Sequence, residues 1–274
     1  MEVPTRRVEI IPAKRRAMIL EHLRVNGAAS IQELAETIGG SQSTIRRDLE
    51  QLMDGGYLER THGGALLVPP MNATFERDTL MNTQLHSVQK AAIGAEAALR
   101  VRTRESVIFE ASSTVMEAAR ALTTRDLQLT VVTNSLEIAY LSSEVPHWRV
   151  IMPGGTIRPG GWRQLTGEPG EAFFKTVHAD VCFVGAYAVS GNILTDASLE
   201  IASIKRAIIQ SARRTVALVD SSKFTAPAFS TFCNLSDIDE LITDDGITPE
   251  QLASLRSFNT KITVVSVAEA AQRA

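Results

Sequence analysis

Over the first quarter of the chain the apolar positions recur at helical spacing. Ala17, Ile19, Leu20 and Leu23 form a stripe within residues 14–25, and Asn26-Gly27 supplies a C-terminal stop. A second helix begins at Ser30, with Glu33 three residues on as in a capping box and Ile31, Leu34, Ala35 and Ile38 as its inward face. Gly39-Gly40 then permits a sharp turn, because glycine reaches positive φ without steric cost. Ser41 caps a third helix. Its inward residues Ile45, Leu49 and Leu52 leave Gln42, Ser43, Thr44, Arg46 and Arg47 around a polar leading half. Beyond Gly55-Gly56, two predicted strands (57–61 and 65–68) bracket His62-Gly63-Gly64 and make a hairpin wing that carries Arg60.

From about residue 85 the pattern changes. An alanine-rich helix is predicted over 88–99. Short apolar runs follow at 106–109, 127–132, 148–152, 181–184, 215–219, 240–242 and 262–265, with helical stretches at 115–122, 199–213 and 249–255 between them. Such alternation predicts an α/β fold with a mostly parallel sheet covered on both faces. Pro69-Pro70-Met71-Asn72 breaks the pattern, and residues 69–84 are polar and weakly patterned. The expected division is a winged helix-turn-helix over 1–68, a linker over 69–84 and an α/β domain over 85–274.

The third helix carries the first candidate chemistry. A helix N-terminus with free amides suits phosphates, and Arg or Gln pairs bidentately with guanine or adenine edges. Double-stranded DNA is the expected partner. The candidate contacts are Ser30, Ser41, Gln42, Ser43, Thr44, Arg46 and Arg47 on the helices, with Arg60, His62 and Gly63 on the wing. The plainer alternative is a small helical domain whose arginines are only solvated. Residues 1–68 hold nine Lys/Arg and nine Asp/Glu, and the whole chain has a formal net charge of −3. A neutral head lacks the basic excess that drives non-specific binding, so its affinity must come from local charge and from pairing two heads. A homodimer or homotetramer follows as an expectation.

In open parallel sheets ligands bind outside the carboxyl ends of the strands, and polar residues gather there. Glu110 ends one run, and Ser112, Ser113 and Thr114 open the next helix, as a phosphate cradle or as ordinary N-capping by Ser112 or Ser113. Thr133, Asn134 and Ser135 end a second run, and Gly154-Gly155 a third. Asp220 and Lys223 share another rim, where Lys223 serves either a ligand or a surface salt bridge. Asp196 and Glu200 flank a helix start, with Lys205 one turn further along. This set suits a small anionic polyol, most naturally a sugar phosphate. Catalysis finds no support: none of His22, His62, His86, His147 and His178 pairs with a nucleophile motif, and nothing in the sequence sets a second titrating group opposite Glu110. No catalytic residue, metal ligand set or cofactor is expected. Cys182 and Cys233 lie in apolar runs without metal spacing and read as buried thiols, which suits a reducing cytoplasm. No apolar run is long enough to span a bilayer and no signal-peptide pattern is present, so no membrane is expected.

Taken together these residues resemble the DeoR family of bacterial transcriptional regulators, from about Lys14 to Asp245. The resemblance is carried most by Ser41, Thr44-Ile45-Arg46-Arg47-Asp48-Leu49, Leu52, Gly55, Gly56, Leu58, Arg60 and His62-Gly63-Gly64-Ala65. Phe75, Arg77, Lys90, Ile93, Thr130 to Ser135, Gly154-Gly155, Arg158, Gly167, Lys205-Arg206-Ala207 and Asp220 to Phe224 add to it. It implies a sensor domain similar to ribose-5-phosphate isomerase that binds a phosphorylated sugar or related metabolite. It also implies a repressor of sugar-catabolism genes, released from its operator by that metabolite. The sensor departs from the family pattern. Where the family's loop reads Asp-x-Gly-(Thr/Ser)-Thr, this chain has Glu110 for the Asp and Ser112 for the Gly, and Tyr187-Ala188 replaces an Asp-Gly pair. Trp162 adds bulk to the glycine-rich loop. These changes are expected to reshape the cradle, in the extreme to fill it, and they count against isomerase chemistry, the alternative reading.

Overall fold

In the N-terminal unit, hydroxyl caps and glycine turns set the helices where their patterns place them. The protein is represented by a computed structural model that describes residues 11–61, 64–67, 79–157 and 163–273, divided into two units at Leu85/His86. The first unit runs α1 (Pro12–Asn26), β1 (Ala28–Ser30), α2 (Ile31–Ile38), α3 (Gln42–Asp54), β2 (Leu58–Thr61), β3 (Gly64–Leu67) and α4 (Thr79–Gln84). Ile19, Leu23, Leu34 and Ile45 are fully enclosed in its core. Ser30 accepts from the Glu33 amide at 3.1 Å, but the Glu33 carboxylate turns to His22 (3.1 Å), so only half of the expected capping box forms. Gly39 and Gly40 have φ of +84° and +131°, as the turn between α2 and α3 requires.

Two features depart from the sequence reading. The expected wing strands β2 and β3 pair antiparallel, and β1 adds a third strand in the order β1-β3-β2. β1 has three residues, too few for an alternation to show. It lies so close to β3 that a Cβ on Gly64 would sit 2.2 Å from the Ala29 carbonyl oxygen. The stretch expected to be a linker ends in α4, which packs on α1, and Leu85 joins the core of this unit. Pro69-Pro70, Phe75, Arg77, His62, Gly63, Arg158 and Trp162 lie outside the described residues.

The second unit opens with α5 (Ser87–Ala98), β4 (Ser106–Phe109), α6 (Ser113–Thr123), β5 (Leu129–Thr133), α7 (Leu136–Ser143) and β6 (Trp148–Ile151). A small hairpin, β7 (Thr156–Ile157) and β8 (Leu165–Thr166), and α8 (Gly170–Phe174) lead to β9 (Val181–Val184). Next come β10 (Ala188–Ser190), β11 (Ile193–Asp196), α9 (Leu199–Gln210), β12 (Thr215–Leu218) and β13 (Ser230–Asn234). The unit closes with β14 (Glu240–Asp244), α10 (Pro249–Arg256), β15 (Lys261–Val265) and α11 (Val267–Arg273). Seven strands form one parallel sheet in the order β15-β14-β12-β9-β4-β5-β6, and these are the seven runs marked by the sequence. A strand buried on both faces must be apolar throughout, and alternate residues serve opposite cores. Val107 and Phe109 pack with α5 and α6, while Ile108 faces the α9 side. The Phe109 and Phe183 rings stack with centroids 5.7 Å apart. A separate antiparallel sheet, β10-β11-β13, covers part of the α9 side.

The order fixes where a ligand crevice can lie. From β4 the chain winds outward through β5 to β6; from β9 it winds the other way through β12 and β14 to β15. The neighbouring pair β4 and β9 is therefore the switch point, and the crevice opens at its carboxyl edge.

Candidate functional site

On α3 the structure places Arg46 and Arg47 exposed beside Gln42 and Ser43, with Thr44 half-buried. Ser41 caps the helix, accepting from the Thr44 amide at 3.1 Å, and its hydroxyl also meets Ser43 Oγ and Thr44 Oγ1. Two arginines of α1 turn inward instead. Arg15 forms an ion pair with buried Asp48 of α3, and Arg16 lies 3.7 Å from the same carboxylate. These bridges lock α1 to α3. Arg46 and Arg47 make no ion pair with any described residue, so their charge remains available to an outside partner. Ser30 is spent on its cap, and Arg60 lies on β2.

At the switch point the side chains bind one another. Glu110 follows β4 and is 1% exposed; its Oε2 accepts from the Gly185 amide at 3.1 Å. Lys205 reaches in from α9, also buried. Its Nζ donates to Asp196 Oδ2 at 2.7 Å and to the Gly185 carbonyl at 3.0 Å, and lies 3.6 Å from Glu110 Oε1. One ammonium thus serves two carboxylates. Burial pushes the Glu110 carboxyl above its ordinary value, and the Asp196 charge adds to this while Lys205 and Gly185 pull against it. Burial also works against the charge on Lys205, but the two carboxylates outweigh it and raise the ammonium's pKa. Ser112 caps α6 through the Val115 amide (3.3 Å), and its Oγ fills the space that a Cβ on Gly185 would need.

A second charged cluster lies at the same edge beyond β12. Asp220 is fully buried; its Oδ1 accepts from the Ser222 amide (3.1 Å) and hydroxyl. Burial opposes its charge, yet Lys223, Lys90 and His86 overcome this and hold the carboxyl below its usual range. Lys223 Nζ lies 5.8 Å from the centre of the Tyr187 ring. Lys90 is a site residue that the chemical reading of the sequence passed over. It is 1% exposed and shares the inward face of α5 with Ile93 and Ala97, so a lysine at a core position was the available signal.

The remaining sensor candidates hold the loops in place. Thr133 Oγ1 donates to the Phe109 carbonyl at 2.7 Å. Asn134 bridges the Ala111 amide (3.0 Å) and the Leu165 carbonyl (3.1 Å), while Ser135 caps α7. A Cβ on Gly155 would meet the Thr166 carbonyl oxygen at 2.8 Å, so this glycine admits β8. Ser113 is half-buried and Thr114 buried at the start of α6.

The DeoR C-terminal sensor domain matches residues 85–245, more than half of the chain, and the DeoR-like helix-turn-helix domain matches residues 15–70. The chain belongs to the DeoR family of transcriptional regulators. Among its relatives, the HTH-type transcriptional regulator GlpR of Haloferax volcanii is 31% identical over 257 residues, covering 92% of this chain and 98% of that one. The glycerol-3-phosphate regulon repressor of Haemophilus influenzae is 32% identical over 250 residues, 90% and 95% of the two chains. Among solved structures, ribose 5-phosphate isomerase A from Neisseria gonorrhoeae matches with a TM-score of 0.38 and 14% identity, over 53% of this chain and 55% of that one. At that level the likeness carries no chemistry across. No described helix of this DeoR protein is long and apolar enough to cross a membrane.

Proposed function

We propose that this DeoR protein is a cytoplasmic repressor of carbohydrate-metabolism genes. Two copies, in a homodimer or homotetramer, present α3 to successive half-sites of a duplex operator. The observation that carries this reading is the pair of exposed arginines, Arg46 and Arg47, without ion partners among the described residues, on a capped helix whose other face is core. A phosphorylated sugar at the carboxyl edge of β4 and β9 lowers operator affinity. The Ser112-Ser113-Thr114 start of α6 accepts its phosphate, and Lys223 supplies charge at the rim. The relative named as a glycerol-3-phosphate regulon repressor supports this effector class. Turnover is not part of the reading, because Glu110 and Asp196 are both engaged by Lys205 and neither stands ready as a base.

Two measurements test it. Footprinting on the DNA upstream of its own gene should show a protected site that Arg46→Ala and Arg47→Ala both lose; wild-type protection by both variants overturns the assignment of α3. Thermal unfolding in a series of sugar phosphates should single out one ligand, because an effector at a hundredfold over its Kd adds about 2.7 kcal/mol. Equal stability across the whole series would leave the crevice without a sensing role.

A further inference from the structure

We propose that the opposite, amino-terminal edge of the parallel sheet carries a second site for a small phosphorylated anion, formed by Arg104, Arg149 and His147. The three residues line a recess of about 360 Å³ together with Gln128, Leu129 and Thr130, where β4, β5 and β6 begin. The five residues of β5 separate it from the switch-point edge, roughly 16 Å at strand rise. The recess is therefore distinct from the crevice at Glu110. Its size falls near the lower end of small-ligand pockets, roughly 300–1,000 Å³.

The two arginines, Arg104 and Arg149, have no carboxylate counterpart among the described residues. The acidic neighbour Glu105 is taken up by Arg214 (3.0 Å) and by the Arg102 amide (2.8 Å). Arg104 holds a left-handed backbone, φ +70°, uncommon for a residue with a Cβ. Its amide donates to the Gln128 carbonyl at 2.6 Å, and the Gln128 amide donates in turn to Thr103 Oγ1, so the turn is braced from both sides. Two exposed arginines line one concavity, and a guanidinium fork matches phosphate oxygens bidentately. This positive focus belongs to a chain of net charge −3, so it is local. A duplex would need rows of such contacts; one recess suits a compact polyanion.

Calorimetric titration of the full-length protein with inorganic pyrophosphate, at constant ionic strength, tests the site. Saturable binding is expected in the wild type, weakened at least tenfold by Arg104→Gln with Arg149→Gln and unchanged by Arg256→Gln, the loss of one exposed charge on α10. No saturable binding, or equal binding by the double variant, overturns the proposal. Loss in Lys223→Met alone would also overturn it, because the anion would then sit at the switch-point edge. Operator binding is followed in the same preparations. A double variant that loses DNA affinity but keeps its pyrophosphate affinity assigns the recess to nucleic acid and refutes the small-anion site.

Discussion

On α3, Arg46 and Arg47 stand exposed without ion partners among the described residues, whereas Lys205 on α9 is 3% exposed and held between two carboxylates. The same kind of charge meets opposite conditions in the two units. In water an unpaired guanidinium costs little and can trade its counterions for a phosphate backbone. In a buried crevice an unpaired ammonium costs several kcal/mol, so the fold supplies its own anions first. On the proposed reading DNA binding is open and salt-dependent, while an effector at the crevice meets one lysine, Lys205, already held by Asp196 and Glu110.

The strongest way to break this contrast is Lys205→Met. It strands two buried carboxylates and should destabilise the protein by about 3–5 kcal/mol in urea unfolding. Adding Glu110→Gln and Asp196→Asn should recover part of that loss; a single variant within about 1 kcal/mol of wild type would mean that the cluster is not a paired unit. Arg46→Ala and Arg47→Ala should each weaken operator binding by about 1–3 kcal/mol in gel-shift titrations. Their unfolding free energies should stay within about 0.5 kcal/mol of wild type, since exposed side chains carry little of the fold. A loss of stability matching the loss of affinity would erase the distinction between the two units.

Ser112→Ala sharpens the picture by removing the cap of α6, at a cost of about 1 kcal/mol. Gly185→Ala should cost more, because its Cβ meets Ser112 Oγ at 2.4 Å, and the two changes combined should cost less than their sum. The smallest effect is at acid pH. Burial works against the Glu240 charge, but bonds from Arg100, Thr263 and Lys261 lower its pKa to about 2. A depressed carboxylate stabilises the fold above its unfolded value, near 4.5, and that contribution disappears as pH falls toward 2. Arg100→Gln should flatten this part of the stability curve, as read by urea unfolding at stepped pH.

The seven parallel strands were legible because burial on both faces leaves an uninterrupted apolar run, and α3 because its stripe, cap and arginines agree. Strands β1, β7, β8 and β10 hold two or three residues each, and β13 owes its pairing with β11 to a distant return of the chain. Local periodicity records neither. At the sensor, the sequence located the strand ends but not the direction of each hydroxyl. Thr133 and Ser135 look the same as Ser113 in a string of letters; the Phe109 carbonyl and the α7 amides claim the first two. Asp196 and Lys205 stood near each other in the sequence, nine residues apart, but nothing there brought Glu110, far upstream, to the same ammonium.

The bond from the Gly185 amide to Glu110 joins residues 75 apart, whereas Thr133 reaches the Phe109 carbonyl across 24. One wall of the crevice therefore closes locally and the other by a distant return of the chain. At a synthesis rate of about 5–20 residues per second, roughly 4–15 s pass between the emergence of the two partners. Throughout that interval Glu110 has neither its amide nor its ammonium, while the head that carries α3 is already complete. A nascent chain completes α3 before the carboxyl edge of β4 and β9 can form, so a polypeptide cut short before β9 holds the helix proposed to read DNA and lacks the crevice proposed for the effector.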